Sequence, residues 1–168
     1  MEIKTIRKLK GYVNYLVYTT REYCTDLIFL QTCPREWNRI FDSCFIFPPL
    51  LDRVNKSTAV ARCKELSPLA RLFQPKNKWI NDLLFKWLDN NNADPAYGDG
   101  TWIGISDVIQ ENTFVYDSSN EEVTFVNWLS GQPNGDTDQN CVTIDDGAKW
   151  RDIECDAQRS FLCELPLI

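Results

Sequence analysis

Seven cysteines and no histidine set the chemistry open to this 168-residue chain. Without an imidazole, serine–histidine–aspartate and cysteine–histidine nucleophiles are excluded, as is the histidine ligand of most catalytic zinc sites. A zinc site made of thiolates alone needs paired cysteines two residues apart, and the cysteines at 24, 33, 44, 63, 141, 155 and 163 contain no such pair. Disulfide formation is the better reading, which points to an oxidising compartment. Carboxylates are the other reactive groups, and Asp145 and Asp146 with Glu154 are the candidates for a hydrolase's acid and base. Neighbours along a strand point to opposite faces, so Asp145 and Asp146 do not converge there, and no enzyme is expected.

Composition fits one folded domain: 43% of the residues are apolar and 12% aromatic, enough to fill a core. A net charge of −6 disfavours nucleic acid and anionic membranes, which call for a basic face. No segment approaches the ~20 apolar residues that span a bilayer. The opening residues begin basic, but their apolar stretch is broken by Asn14 and no small-residue cleavage site follows, so the export signal is expected to lie elsewhere. Asn55-Lys56-Ser57 is the single glycosylation sequon, in keeping with an extracellular or secreted glycoprotein.

Residues 1 to 32 read as an appended segment of unknown role, with YVNYLVY suited to a strand or a partner-dependent helix. From Cys33 onward, WNRIFDSCFIF alternates and carries aromatics, as a pair of short strands would, and suggests a hairpin closed by Cys33 and Cys44. The spacing of Ala59, Val60, Cys63 and Leu66 predicts a helix over 57–66 that stops at Ser67-Pro68. A second helix is predicted over 77–88, with Trp79, Leu83, Leu84, Trp87 and Leu88 on a core-facing side. NNNADPAYGDG, at 90–100, is turn chemistry. After it come TWIGIS, TFVYD, VTFVNW, NCVTIDD, KWRDI and SFLCEL, short strand-like runs. Two helices followed by antiparallel strands define an α+β arrangement. Between the strands, a polar and irregular stretch from Asp117 to Asp138 needs a stiff frame around it, and such loops are where recognition sits.

Several pieces occur together in one order: Cys33-Pro34 with Trp37 and Cys44, Ala59 to Cys63, WIGISD, NWLSGQPN, NCV, KWRDIEC and FLCE. In that order they resemble a C-type lectin-like domain over residues 33 to 165. The resemblance implies a disulfide-stapled α+β fold with bridges Cys33–Cys44, Cys63–Cys163 and Cys141–Cys155. Cys24 is left over, either free or in an intermolecular bridge that makes a covalent dimer.

The resemblance also implies a binding loop. In sugar-binding members, one calcium ion is held by a triplet around a cis proline, an acid before a cysteine, and an Asn-Asp pair after a tryptophan. Those places fall here on Gln132-Pro133-Asn134, on Gln139, and on Arg151-Asp152 after Trp150. The family pattern supplies three carboxylates and two amides to an ion that prefers six to eight oxygens. This chain supplies one carboxylate, three amides and a guanidinium that cannot be a ligand. A sugar-ligating calcium is therefore not expected, and amides on both sides of Pro133 name no sugar.

An auxiliary ion site is implied at Asp107 and Glu111, with Gly135 and Asn140 where carboxylates are usual and Asp136 and Asp138 close enough to substitute. The metal candidates are thus Asp107, Glu111, Asn134 and Asp152, and the ligand-binding candidates Gln132, Asn134, Gln139, Arg151 and Asp152. The expected function is extracellular recognition of a carbohydrate or glycoprotein. Two alternatives stand beside it: calcium-dependent sugar binding and calcium-independent protein–protein interaction. Arg151 and Trp150 would suit a protein partner, although the family places such a tryptophan in the core.

Overall fold

A computed structural model describes residues 32–47, 53–90 and 100–167, with the side chains of 87–90 and 146 excepted. Cys24 and its expected bridge, the reading of residues 1 to 31, and most of the turn-rich run at 91–99 lie outside the described residues. Strands β1 (Asn38–Ile40) and β2 (Ser43–Ile46) form the expected antiparallel hairpin. They join β9 (Cys163–Pro166) and β3 (Arg71–Leu72) in a four-stranded sheet of order β1-β2-β9-β3.

Helix α1 (Lys56–Leu66) starts where the Asn55 side chain accepts the Thr58 N–H at 2.9 Å, and it ends at Ser67, whose extended backbone precedes Pro68. Helix α2 (Lys78–Asn90) is capped in the same way by Asn77, which accepts the Ile80 N–H.

The second sheet has the order β5-β4-β6-β7, with β4 (Thr101–Ser106), β5 (Val115–Tyr116), β6 (Cys141–Asp145) and β7 (Lys149–Ile153). Strand β8 (Ser160–Phe161) pairs with β4 in parallel, the one departure among these pairings from the antiparallel pattern. Strand β4 is buried on both faces because its side chains alternate between two cores. Ile103 and Ile105 enter the larger core with Phe45, Phe73, Leu84 and Trp150. Trp102 enters the smaller one with Ala59, Leu72 and Phe161. Each fully buried aliphatic or phenyl side chain contributes about 1.5–3 kcal/mol.

The three bridges join Cys33–Cys44, Cys63–Cys163 and Cys141–Cys155, with Cα–Cα distances of 5.5, 5.4 and 5.1 Å. Cys63–Cys163 ties α1 to β9 across 100 residues. In the chain-entropy model a loop of that length is worth about 4.7 kcal/mol. Among the described residues no helix is long and apolar enough to cross a membrane.

Several local expectations are corrected. Trp79 is 58% exposed and stacks on Phe41 at a centroid distance of 4.2 Å, because α2 turns Ile80, Asn81 and Leu84 inward instead. The buried Asn81 is tolerated because it accepts the Trp150 indole N–H at 2.8 Å and donates to the Ala148 carbonyl. Leu66, at the end of α1, is likewise exposed. The runs TFVYD and VTFVNW yield only the two-residue β5 and isolated bridges, Val115 with Glu122 and Trp128 with Trp150. SFLCEL breaks into β8 and β9, which belong to different sheets.

Candidate functional site

Residues 117 to 140 run from β5 to β6 almost without regular structure, and three sets of contacts hold them. At the start, Asp117 forms an ion pair with Lys56 at 3.0 Å and accepts the Ser106 hydroxyl at 2.8 Å. Lys56 lies in the first turn of α1, but its side chain is buried, and its ammonium also donates to the Ile103 and Ile105 carbonyls at 2.6 and 3.0 Å. Those carbonyls sit where the β4–β6 register shifts between Trp102 and Ser106. Burial lowers the Lys56 pKa, while the Asp117 carboxylate pulls it back up.

In the middle, aromatic rings gather around Trp150. Phe125 and Trp128 meet it edge-on, with centroids 5.4 and 5.7 Å away, and Phe114 packs on Trp128. Backbone bonds between Leu129 and Trp150, and between Trp150 and Asn127, fasten this part of the loop to β7. Trp150 is therefore a core residue, fully buried.

At the end, Asp152 projects from β7 under the loop. Its carboxylate accepts the backbone N–H of Asn134 at 3.0 Å and that of Gly135 at 2.9 Å. Gly135 lies so close over Gln139 that an added Cβ would fall 2.1 Å from the Gln139 Cβ, so only glycine fits there. The Gln132–Pro133 peptide is cis, as the resemblance implied. Asn134 is exposed, Gln132 and Gln139 are half-buried, and the Gln132 Oε1 is enclosed without a hydrogen-bond partner. Arg151 points to the other face of the sheet, where its Nε donates to Asp145. The structure thus brings Gln132, Asn134, Gln139 and Asp152 into one region and places the Arg151 guanidinium with Asp145 instead.

Beside this region lies a cleft of about 110 Å³ lined by Asp107, Glu111, Phe114, Pro133, Asn134, Asp136 and Asp152, among others. Asp107 follows β4 directly and is 3% exposed. Its Oδ2 accepts the Asn112 N–H at 2.9 Å, while its Oδ1 is buried without a hydrogen-bond partner. Burial pushes the Asp107 carboxyl above the usual range against that bond, and Asp152 adds to the rise. Glu111 also rises, first through desolvation and then through Asp107, Asp136 and Asp152. Asp138 falls in the 3-10 turn Asp136–Asp138 and does not line the cleft.

The donor sets test whether calcium fits. At the triplet, the Asp152 carboxylate is already committed to two backbone N–H groups, and the remaining side-chain donors are neutral amides. That set does not match a divalent cation that takes six to eight oxygens. The acidic cleft holds donors of the right type. Even so, among the described residues no three histidine, cysteine or carboxylate side chains stand together as a ready metal-ligand group.

Fold and loop together define a lectin-like recognition module, and the family model described as the Lectin C-type domain matches residues 52–165. The chain belongs to the C-type lectin family. It is 25% identical to a perlucin-like protein of Mytilus galloprovincialis, covering 90% of this chain and 92% of that one. It is 34% identical to a mannose-binding protein of Gallus gallus, over 56% of this chain but only 34% of that longer one. Among solved structures, the cow CD23 carbohydrate-recognition domain has a TM-score of 0.67 at 26% identity, covering 82% of this chain and 98% of that one. Human lithostathine, at 22% identity and a TM-score of 0.68, shares the fold over 80% of this chain and 91% of its own.

Two features escape a reading of the sequence. Lys56 gives no local sign of burial, since its partners are 47 to 61 residues away, and its sequon drew attention to Asn55 instead. Val108 and Ile109 are exposed by 63% and 69% in the turn between Asp107 and Glu111, although their side chains are apolar. The polar neighbours Asp107 and Gln110 are the available hint of a turn there, closed by the Gln110 N–H on the Asp107 carbonyl.

Proposed function

We propose that residues 33 to 165 form an extracellular recognition module that binds a glycan or glycoprotein through the loop face of Gln132, Asn134, Gln139 and Asp152. No sugar-ligating calcium takes part. The observation that carries this reading is the Asp152 carboxylate on the Asn134 and Gly135 N–H groups: the loop end is held by the chain's own atoms. Asp152 orients Asn134, while the amides of Asn134, Gln139 and Gln132 offer both donors and acceptors to ligand hydroxyls. Arg151, turned to Asp145, brings no positive charge to the face. No covalent chemistry is proposed.

The test is a glycan and glycoprotein array probed with and without a chelator. Binding that persists in chelator and is lost in Asn134→Ala supports the reading. Release of the protein from immobilised mannose or galactose by chelator overturns it in favour of a calcium-dependent lectin.

A further inference from the structure

We infer that Asn55 is a site of N-linked glycan attachment that is open only while the chain is unfolded, and that folding closes it. The residues that close it come from the second half of the sequence.

The first observation is the grip on the sequon Asn55-Lys56-Ser57. Its middle side chain is buried, with the Lys56 ammonium on the Ile103 and Ile105 carbonyls at 2.6 and 3.0 Å and on Asp117 at 3.0 Å. The backbone is held on both sides of Asn55 as well. Val54 and Arg159 each donate an N–H to the other's carbonyl, and the Lys56 N–H donates to the Cys155 carbonyl at 3.0 Å. The Asn55 Oδ1 accepts the Thr58 N–H at 2.9 Å, which caps α1, and the Ser57 hydroxyl at 3.2 Å.

The second is the chemistry of attachment. The Asn Nδ2 attacks C1 of a sugar carried on a lipid pyrophosphate. The C1–N bond forms, the C1–O bond breaks, the lipid pyrophosphate leaves, and the nitrogen gives one proton to a base of the transferase. An amide nitrogen is a poor nucleophile, because its lone pair is delocalised into the carbonyl. The transferase must therefore surround the whole amide and read the hydroxyl two residues on, which needs the tripeptide lifted clear of its own protein. Lifting it here breaks the α1 cap and draws the Lys56 ammonium away from three oxygens. An unfolded chain has no such contacts to lose. The cap uses Oδ1 alone, so a sugar already on Nδ2 leaves the helix start its acceptor.

The third is the order of synthesis. Ile103 follows Lys56 by 47 residues, Cys155 and Arg159 follow later still, and Cys63 waits 100 residues for Cys163. At about 5–20 residues per second, roughly 100 residues take about 5–20 s to make. Through that interval the groups that grip the sequon from afar do not yet exist.

The test uses the full chain in two forms, folded with its disulfides and reduced with its cysteines alkylated. Each is given a purified oligosaccharyltransferase and a lipid-linked oligosaccharide, and the product is read by intact mass and glycopeptide mapping. The alkylated chain is expected to take one glycan at Asn55 at least about tenfold faster than the folded chain, whose reaction waits on local opening. Ser57→Ala abolishes modification of both forms. Asp117→Asn leaves the sequon untouched but weakens the Lys56 anchor, so it speeds the folded chain several-fold and leaves the alkylated chain unchanged.

Three results overturn the inference: no glycan at Asn55 on the alkylated chain, equal rates for the two forms, or a folded Asp117→Asn chain modified no faster than the unsubstituted one. The first two need no variant to fold. None of these outcomes depends on what the loop face binds.

Discussion

The frame and the loop of this molecule are held by different forces. In the frame, Trp102, Phe45, Phe73 and Ile103 pack in cores that bury them almost completely, and Cys63–Cys163 crosses 100 residues to fasten α1 to β9. In the loop, Asp117 meets Lys56 at one end, Asp152 meets two backbone N–H groups at the other, and rings gather about Trp150 between them. Apolar burial is non-directional and tolerates exchange of similar side chains, whereas a carboxylate aimed at two N–H groups tolerates little. The difference teaches that the contacting surface can vary in sequence as long as a few polar clamps and one ring cluster keep their places.

The sharpest way to break the comparison is at the frame. Replacing Cys63 and Cys163 by Ser is expected to cost about 4–5 kcal/mol, read as a lower urea midpoint, with frame and loop lost together. Lys56→Met comes next. It leaves the half-buried Asp117 carboxylate without its cation and two buried carbonyls without a donor, a cost of about 2 kcal/mol in chemical denaturation. Adding Asp117→Asn to Lys56→Met recovers part of that loss, because the two sites are coupled. A double-mutant cycle that proves additive would deny Lys56 its part in fastening the loop.

Asp152→Ala has an effect of similar size, about 2 kcal/mol, but a local one: the Asn134 and Gly135 amides lose protection from hydrogen exchange while β4 keeps its own. The smallest effect is also opposite in sign. Since Asp107 has a raised pKa in the folded state, its ionised form is penalised at neutral pH, and that penalty fades as pH falls through the folded value. Asp107→Asn therefore raises the melting temperature at pH 7. The gain vanishes below the ordinary carboxylate value of 3.8, where both proteins are neutral at this site. A melting temperature unchanged at pH 7 would count against the buried, unanswered carboxylate.

How much of this was legible follows the same division. The WIGIS run and the three- and four-residue spacing of Ala59 and Cys63 are local signals, and they pointed to β4 and α1, whereas the Cys63–Cys163 pairing, 100 residues apart, came from the family resemblance. Trp79 misled because a helix's apolar residues need not all face one way, and here a buried Asn81 with two good partners took the inward position. The loop was visible only as a gap in pattern. Asp152 came from the family resemblance, but its backbone partners lie 17 and 18 residues away and carry no residue-type signature. Arg151 and Asp145 are only six residues apart across the β6–β7 turn, so that pairing could have been anticipated from a two-strand register.

Amide hydrogen exchange at Asn134 and Gly135, measured on one sample in excess calcium and another in chelator, tests most directly that the loop end is held by Asp152 and not by an ion. Equal, strong protection in both samples is the predicted result. Protection that appears with calcium and collapses in chelator would contradict it.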